Sequence, residues 1–213
     1  MNSLAICYEN GEGTEKNLGK AFHWYKKAAE NGYTYAMFNL AICYKNGEGT
    51  EKNLEKAFHW YQKAAEKDHI KAMNSLAISN RYRNGKGTEK DLEKAFHWYQ
   101  KAAEKDHIEA MNNLANRYRN GEGTEKDLEK AFHWYQKAAE KDHIKAMFKL
   151  AICYENGEGT EKDLVKAIHW YQKVAENGEE KAMFNLAICY IEGEEVEKNI
   201  FKALHWIQKA AER

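Results

Sequence analysis

The sequence predicts an all-α solenoid of about six helix-turn-helix units, and three observations carry this prediction. The dipeptide His-Trp occurs six times, in steps of 36, 38, 36, 36 and 36 residues. Proline is absent from the chain. Ala, Leu, Glu and Lys, which favour helices, are abundant. Because so short a unit cannot enclose a core of its own, we expect each one to bury its apolar face against its neighbours.

The period divides the 213 residues into six units, which we expect to form a single array without a linker. Their approximate bounds are 1-35, 36-71, 72-109, 110-145, 146-181 and 182-213. The first unit lacks the opening of its first helix, and the last is apolar at Ile191, Ile200, Phe201 and Ile207. Since the terminal units of solenoids are usually polar, we expect the chain to be a fragment of a longer protein.

The first helix of each unit is predicted from apolar residues at helical spacing. In the unit at 36-71 these residues are Ala36, Met37, Leu40, Ala41 and Tyr44. Gly47 then supplies the left-handed residue that ends many helices, and Gly49 keeps the following turn compact.

The second helix begins after a residue suited to an N-cap, which is Asn53 in this unit and Asp91, Asp127 or Asp163 in others. Its apolar stripe consists of Leu54, Ala57, Phe58, Tyr61, Ala64 and Ala65. The helix is expected to end at Asn-Gly in two units and at Lys-Asp-His in three others. In those three, Asp68, Asp106 and Asp142 would adopt the left-handed conformation at some cost.

The charge and hydropathy of the chain narrow the class of partner. Its 33 basic and 33 acidic side chains balance, so no global charge attracts nucleic acid or anionic membranes. No run of 18 apolar residues exists, and the beginning of the chain lacks the pattern of a signal peptide. We therefore expect no membrane partner and, by default, a cytoplasmic protein, although an upstream leader would change that expectation.

The repeated pattern is Ala-x-x-x-Leu-Ala-x-x-Tyr-x-x-Gly-x-Gly-Thr-x-x-Asn/Asp-x-x-Lys-Ala-Phe-x-Trp-Tyr-x-Lys-Ala-Ala-Glu. It resembles the Sel-one-like repeat (SLR), a relative of the tetratricopeptide repeat (TPR), over the whole chain. The resemblance implies a right-handed α/α superhelix in which the first helix of each pair lines a concave groove. It also implies a scaffold or adaptor that holds other proteins, often in signalling or quality-control assemblies. A few cysteine-rich bacterial members are linked to β-lactam binding or hydrolysis.

Internal comparison of the units indicates where a partner would bind. The stripe residues hardly change, whereas neighbouring positions on the first helix do. Just after the Met, the chain has Phe38, Asn74, Asn112, Phe148 and Phe184; two places after the Leu, it has Ile42, Asn116, Ile152 and Ile188. If the family geometry holds, these side chains point into the groove, which would be apolar at its ends and polar in its middle.

Four arginines form the concentrated basic feature of this neutral chain. Asn-Arg-Tyr-Arg-Asn occurs at 80-84 and 116-120, and contributes Arg81, Arg83, Arg117 and Arg119. In one interpretation their heads lie in water while their stems cover neighbouring residues. In the other they form an electropositive centre that binds a carboxylate or phosphate of an acidic or phosphorylated segment. Single-stranded nucleic acid is a third interpretation, but the zero net charge and the interspersed Glu122 and Glu125 argue against it.

The third unit is two residues longer than the others, in effect by Ile78 and Ser79. At 100° per residue, two extra residues would turn the rest of the helix by about 200°. Either a local bulge restores the register, or the last turn of the helix is rearranged.

Cysteine and histidine do not indicate a chemical site. Cys7, Cys43, Cys153 and Cys189 occupy the same place in different units. Stacked helices lie about 8 to 10 Å apart, which is too far for disulfides. The histidines form a row and not a cluster, so we predict no metal site, cofactor or catalytic residue. The cysteine-rich hydrolases of the family need a second Cys per unit, which this chain lacks.

The sequence therefore predicts a protein-protein interaction scaffold and not an enzyme. A peptide or protein segment would bind in the groove, between apolar anchors and over the basic centre. The alternative is a structural array that assembles end to end with copies of itself through its exposed terminal units.

Overall fold

The computed structural model describes residues 1–82, 91–192 and 198–212, and for residues 80–82 only the backbone. All regular structure in these ranges is helical, which confirms the predicted fold class. The twelve helices are α1 (Asn2–Asn10), α2 (Leu18–Glu30), α3 (Thr34–Asn46), α4 (Leu54–Glu66), α5 (Ile70–Tyr82), α6 (Leu92–Glu104), α7 (Ile108–Asn120), α8 (Leu128–Ala139), α9 (Ile144–Asn156), α10 (Leu164–Glu176), α11 (Glu180–Glu192) and α12 (Ile200–Ala211).

The chain consists of two compact bodies, the N-terminal body (Met1–His107) and the C-terminal body (Ile108–Arg213). Each body contains three helix pairs, and within a body each helix packs against the helix before it and the helix after it. This is the stacking of αα-hairpins that an all-α solenoid requires. That all six pairs form a single array remains a prediction.

The second helices begin at the predicted N-caps. The side-chain Oδ1 of Asn53 accepts a hydrogen bond of 2.9 Å from the backbone N–H of Lys56, which would otherwise lack a partner in the first turn. The same bond is formed by Asn17, Asp91, Asp127, Asp163 and Asn199. Each second helix therefore starts at a position that its own sequence fixes.

The helix ends also follow the predicted chemistry. Gly47 has φ +81°, and its N–H donates to the carbonyl of Cys43 at 2.8 Å. Asp68, Asp106 and Asp142 have φ values of +63°, +65° and +62°. The left-handed region is unfavourable for a residue with a Cβ, so these three turns hold a strained backbone that the glycine-ended turns avoid.

The apolar stripes form the core with two exceptions, Leu54 and Phe58. Ala36, Met37, Leu40, Ala41 and Tyr44 are buried as predicted, and so are Ala57, Tyr61, Ala64 and Ala65. The prediction for Leu54 was wrong: it is the first residue of α4 and is 62% exposed, although the equivalent Leu164 of α10 is buried. Phe58 is only half-buried. The equivalent Phe22 shows what this position does, because its ring lies edge-on to Tyr44 of the following repeat at 5.3 Å.

The His-Trp pairs lie on the second helices and leave all six histidines exposed. In α4 the His59 ring lies edge-on to the Trp60 ring, 5.6 Å between centroids. Lys63, one turn later, places its ammonium group 4.8 Å from the centre of the same indole. The Trp side chain thus packs between the helix surface and a lysine, in agreement with a packing role.

Neighbouring repeats meet at the second glycine of the turn between the two helices. A Cβ added to Gly159 would lie 2.0 Å from the carbonyl oxygen of Leu128 in the preceding repeat, and one added to Gly49 would lie 2.1 Å from that of Leu18. No side chain fits at such distances. Glycine at this position therefore does more than keep the turn compact, because it lets two backbones touch.

The first helix of the third unit has no bulge among its described residues. Helix α5 is continuous from Ile70 to Tyr82. Ser79 consequently lies where the fourth repeat has Arg117, and Arg81 lies at the helical register of Arg119.

Among the described residues, no helix combines the length and the apolar character that crossing a bilayer requires.

Replacing Gly159 with alanine is expected to destabilise the C-terminal body strongly. Gly13 is the matched control, because it has nearly the same φ (+70° against +72°) but open space where its Cβ would lie. Gly13→Ala should cost only the left-handed strain, about 1 kcal/mol. Gly159→Ala should add overpacking of about 1 to 3 kcal/mol. Urea unfolding of both variants checks this, and equal losses of stability would contradict the proposed backbone contact.

His69 is expected to make stability depend on pH. Its buried ring stacks on Phe38 at 4.6 Å, and its Nδ1 accepts a hydrogen bond from the N–H of Ala72 at 3.1 Å. Burial, and then Lys71, lower the pKa of His69 below its ordinary value of 6.5. The unfolded chain therefore takes up the proton first, and the contribution of His69 to stability falls as the pH falls through about 6.5.

Urea unfolding from about pH 8 to about pH 5 tests this expectation on wild type and His69→Asn, which keeps a side-chain acceptor but cannot titrate there. The stability advantage of wild type should shrink towards acid pH. Parallel pH profiles for the two proteins would rule out His69 as the titrating group.

Candidate binding surface on the first helices

Helices α7, α9 and α11 of the C-terminal body border a common hollow, and we call the surface they form the first-helix face. The hollow has a volume of about 320 Å³. Its lining residues are Asn112, Asn116, Ile144, Lys145, Phe148, Lys149, Val174, Glu179 and Lys181. Three residues predicted from the sequence, Asn112, Asn116 and Phe148, therefore lie together.

The two asparagines differ in how their amides are held. The Nδ2 of Asn116 donates to the backbone carbonyl of Asn112 at 2.9 Å, and the hydroxyl of Tyr135 donates to the Oδ1 of Asn116 at 2.8 Å. Asn112 is only 5% exposed, and its buried Oδ1 has no hydrogen-bond partner. Asn116 is thus fixed by the protein, whereas the amide of Asn112 keeps an unused polar atom.

Arg119 joins two adjacent repeats. Its Nε and Nη2 donate to the two carboxylate oxygens of Glu158 at 2.9 and 3.1 Å, which is a forked, two-bond ion pair. Glu158 belongs to the turn of the next helix pair. Two of the three guanidinium nitrogens are therefore engaged within the protein, and the group is not free in water.

Arg117 is buried, with 2% of its surface exposed, and pairs with Glu122. The expectation that its head lies in water was therefore wrong: the carboxylate of Glu122 compensates its charge inside the protein. Contact of Arg117 or Arg119 with a partner remains a prediction. Arg83 and the side chain of Arg81 lie outside the described residues.

The predicted positions of the N-terminal body lie on α3 and α5. Phe38 is half-buried, between the ring of His69 and that of Tyr61 at 5.8 Å. Ile42 is half-buried and Asn74 is buried.

The apolar positions of the C-terminal body become more exposed along the chain. Phe148 is half-buried, with its ring 5.7 Å from Tyr171, and Ile152 is also half-buried. On α11, Phe184 is 48% exposed and Ile188 is 46% exposed. These two side chains, one turn apart, form an apolar patch open to solvent.

Lys149 is a functional candidate that the sequence analysis missed. It is half-buried, and burial, followed by Arg119, lowers the pKa of its ammonium group. The equivalent residues in the other repeats are Ser3, Asn39, Ser75, Asn113 and Asn185. Lys149 is the single lysine at a position where the other units have a small polar residue. A comparison of the units could therefore have identified it.

The four cysteines form no disulfide, and Cys43, Cys153 and Cys189 lie near acidic side chains. Burial, and then Glu9, raise the pKa of the Cys43 thiol to about 12; burial, and then Glu155, do the same for Cys189. Such thiols are protonated near neutral pH and are weak nucleophiles and metal ligands. In the part of the chain that the structure describes, no group of three or more His, Cys, Asp or Glu could hold a metal ion.

The family model described as Sel1 repeat matches the chain six times, at residues 1–33, 34–69, 70–107, 108–143, 144–179 and 180–213. Each match contains one of the helix pairs described above. No curated protein matches the chain significantly.

Solved structures resemble the whole chain. A Sel1 repeat protein from Oxalobacter formigenes is 38% identical, with a TM-score of 0.81 over 98% of this chain and 83% of its own. A protective antigen present in uropathogenic Escherichia coli strains, which has the SLR fold, is 31% identical with a TM-score of 0.93 over 99% of this chain. The chain spans only 45% of the length of that antigen.

An immunity protein from Pseudomonas aeruginosa shares the fold at lower similarity, with 21% identity and a TM-score of 0.51 over 100% of this chain and 83% of its own. The six matched repeats and the relative from Oxalobacter formigenes show that the chain belongs to the Sel1 repeat family, whose members are commonly scaffolds for protein interactions.

Proposed function

We propose that this chain is a protein-interaction scaffold and that the first-helix face of its C-terminal body binds a segment of a partner protein. The observation that carries the proposal is the combination of an open hollow with the apolar patch of Phe184 and Ile188. Large apolar side chains rimmed by polar ones on a protein surface are typical of binding sites.

The register of the repeats supports a position of the patch beside the hollow. Phe184 occupies in the last repeat the place that Phe148 has in the fifth, where it lines the hollow. A segment lying across α9 and α11 would cover both phenylalanines. Because both rings are already about half buried, covering their exposed parts would contribute about 1.5 to 3 kcal/mol before the cost of ordering the segment.

The arginines have a supporting role in this proposal. The fork between Arg119 and Glu158 ties α7 to the next repeat and so fixes the spacing of the first helices. A charge held in this way positions the surface on which a partner lies. Other cations of the same face would then bind an acidic partner.

Catalysis forms no part of the proposal. The Sel1 repeat fold is typically non-enzymatic. The thiols of Cys43 and Cys189 have raised pKa values and are poor candidates for a cysteine-based hydrolase.

Replacing Phe184 and Ile188 together by alanine is expected to weaken capture of a partner from cell extract at least tenfold, because the exposed apolar area is lost. Helicity should stay the same, since both side chains are half exposed in the free protein. Affinity capture followed by peptide mapping of the bound protein measures this effect.

Val165→Ala is the matched control, because Val165 is an exposed apolar residue of the same body on the second helix α10. It should leave capture unchanged. Equal capture by the control and by the double variant would contradict binding on the first-helix face.

A second candidate function, self-assembly, is favoured by the surface of the last repeat. Phe201 is 87% exposed, and Leu204 is also exposed. Leu204 occupies the position at which Phe132 contacts Tyr154 of the following repeat, edge-on at 5.3 Å. The last helix thus exposes apolar side chains where other repeats contact a neighbour.

If this surface joins copies of the chain, the mass measured by light scattering should rise with concentration, and Leu204→Lys should abolish the rise because it would bury an unpaired charge. Val165→Lys adds the same charge elsewhere and should not affect it. A monomer at every concentration, for wild type as for both variants, would exclude this second function.

A further inference from the structure

We propose that the hollow of the first-helix face binds a carboxylate that lies beside a large apolar group of the partner segment, with Lys149 as the central cation. The inference rests on the proposed function, since it names the chemistry that this face would recognise.

The charge of the lining residues favours an anion. Lys145 and Lys149 lie one helical turn apart on α9, and Lys181 lies opposite them on α11. None of the three forms an ion pair within the described part of the chain. Glu179 is the single carboxylate among the lining residues. Three ammonium groups against one carboxylate leave an excess of positive charge for a ligand to balance.

Lys149 is the least solvated of these cations. The nearby carboxylate of Glu158 is already held by both arms of Arg119 and lies beyond ion-pair distance of Lys149. Burial and the charge of Arg119 lower the pKa of Lys149. A half-buried ammonium group without a counter-ion is unfavourable, and a bound carboxylate would relieve this cost.

Asn112 provides an independent indication of a ligand. It is more than nine-tenths buried, lines the hollow, and keeps an Oδ1 without a hydrogen-bond partner. Rotation about its last side-chain bond exchanges oxygen and nitrogen, so the amide can accept from an N–H or donate to a carbonyl. As the amide stands, its oxygen is shielded, but the turned amide would present it to the hollow, where a peptide N–H could donate to it.

The remaining lining residues set the size of the ligand. Ile144, Phe148 and Val174 make the apolar part of the hollow. A volume of about 320 Å³ accommodates one large side chain and an adjoining carboxylate. The ligand is therefore an extended stretch in which an apolar residue adjoins a carboxylate, from either an acidic side chain or a chain terminus.

Three peptides test the chemistry by NMR titration of the whole chain. The first is acetyl-Ser-Ala-Leu-Glu-Ala-Ser-amide, and the second has glutamine in place of glutamate. The third, acetyl-Ser-Ala-Leu-Gln with a free carboxyl end, carries its carboxylate at the terminus. At least one carboxylate peptide should bind about tenfold more tightly than the neutral peptide and shift the side-chain amide signals of Asn112. Which of the two binds more tightly identifies the source of the carboxylate.

Lys149→Asn is the decisive variant, because Asn39 and Asn185 show that asparagine fits this column. It should remove the tenfold preference for carboxylate while leaving binding of the neutral peptide unchanged. Lys181→Gln should reduce the preference in part. Lys173→Gln, which removes a lysine on the Trp170 side of α10, should leave the preference intact.

Equal affinity for the charged and neutral peptides, no binding of either, or a preference that survives Lys149→Asn would each overturn the inference. These outcomes are separable from a failure of the proposed function. Partner capture that depends on Phe184 and Ile188 but not on Lys149 would leave the scaffold role standing and remove only the carboxylate site.

Discussion

The backbone contact between adjacent repeats is the constraint on which the rest of the structure depends. The Cα of Gly159 approaches the carbonyl of Leu128 so closely that no other residue fits there, and Gly49 meets Leu18 in the same way. Where two backbones approach in this way, the helices behind them can carry only small residues where they face each other. The stripes of buried alanine are the consequence, and they fix the spacing of the first helices.

Because of this spacing, residues that are about one repeat apart in the sequence lie next to each other in the structure. Arg119 and Glu158 are 39 residues apart and form a forked ion pair. The first two repeats carry Glu9 and Glu48 at the same two positions. Burial is the main cause that raises the pKa of the Cys43 thiol, and both carboxylates raise it further. A single geometry therefore yields an ion pair in one place and a pair of like charges in another, so near-identical repeats differ in their local charge.

The sequence predicts the fold almost completely because its determinants are local. N-caps such as Asn53 and left-handed residues such as Asp68 act within a few residues, and the period adds the stacking. The candidate site is less predictable. The burial of Arg117 and the fork of Arg119 depend on Glu122 and Glu158, whose positions follow only from the turn and stacking geometry. A comparison of the units could have identified Lys149, but it could not have predicted that the amide oxygen of Asn112 lacks a hydrogen-bond partner.

The polar substitutions around the hollow are physically coupled. In the first and fifth repeats, the buried tyrosine hydroxyl donates to a glutamate of its own repeat, as Tyr171 does to Glu155 at 2.6 Å. The fourth repeat has Arg119 in that place, and arginine has no acceptor. In the fourth repeat the hydroxyl of Tyr135 donates to Asn116 instead, which stands where each of the other five repeats has isoleucine.

Arg119 also binds both oxygens of Glu158, and Lys149 forms no ion pair in the described part of the chain. The third repeat has an arginine at the register of Arg119 but keeps isoleucine where the fourth has Asn116, so neither exchange alone defines the hollow. The distinctive chemistry of the hollow follows from the combination of Asn116, Arg119 and Lys149 in two neighbouring repeats of an otherwise repetitive chain.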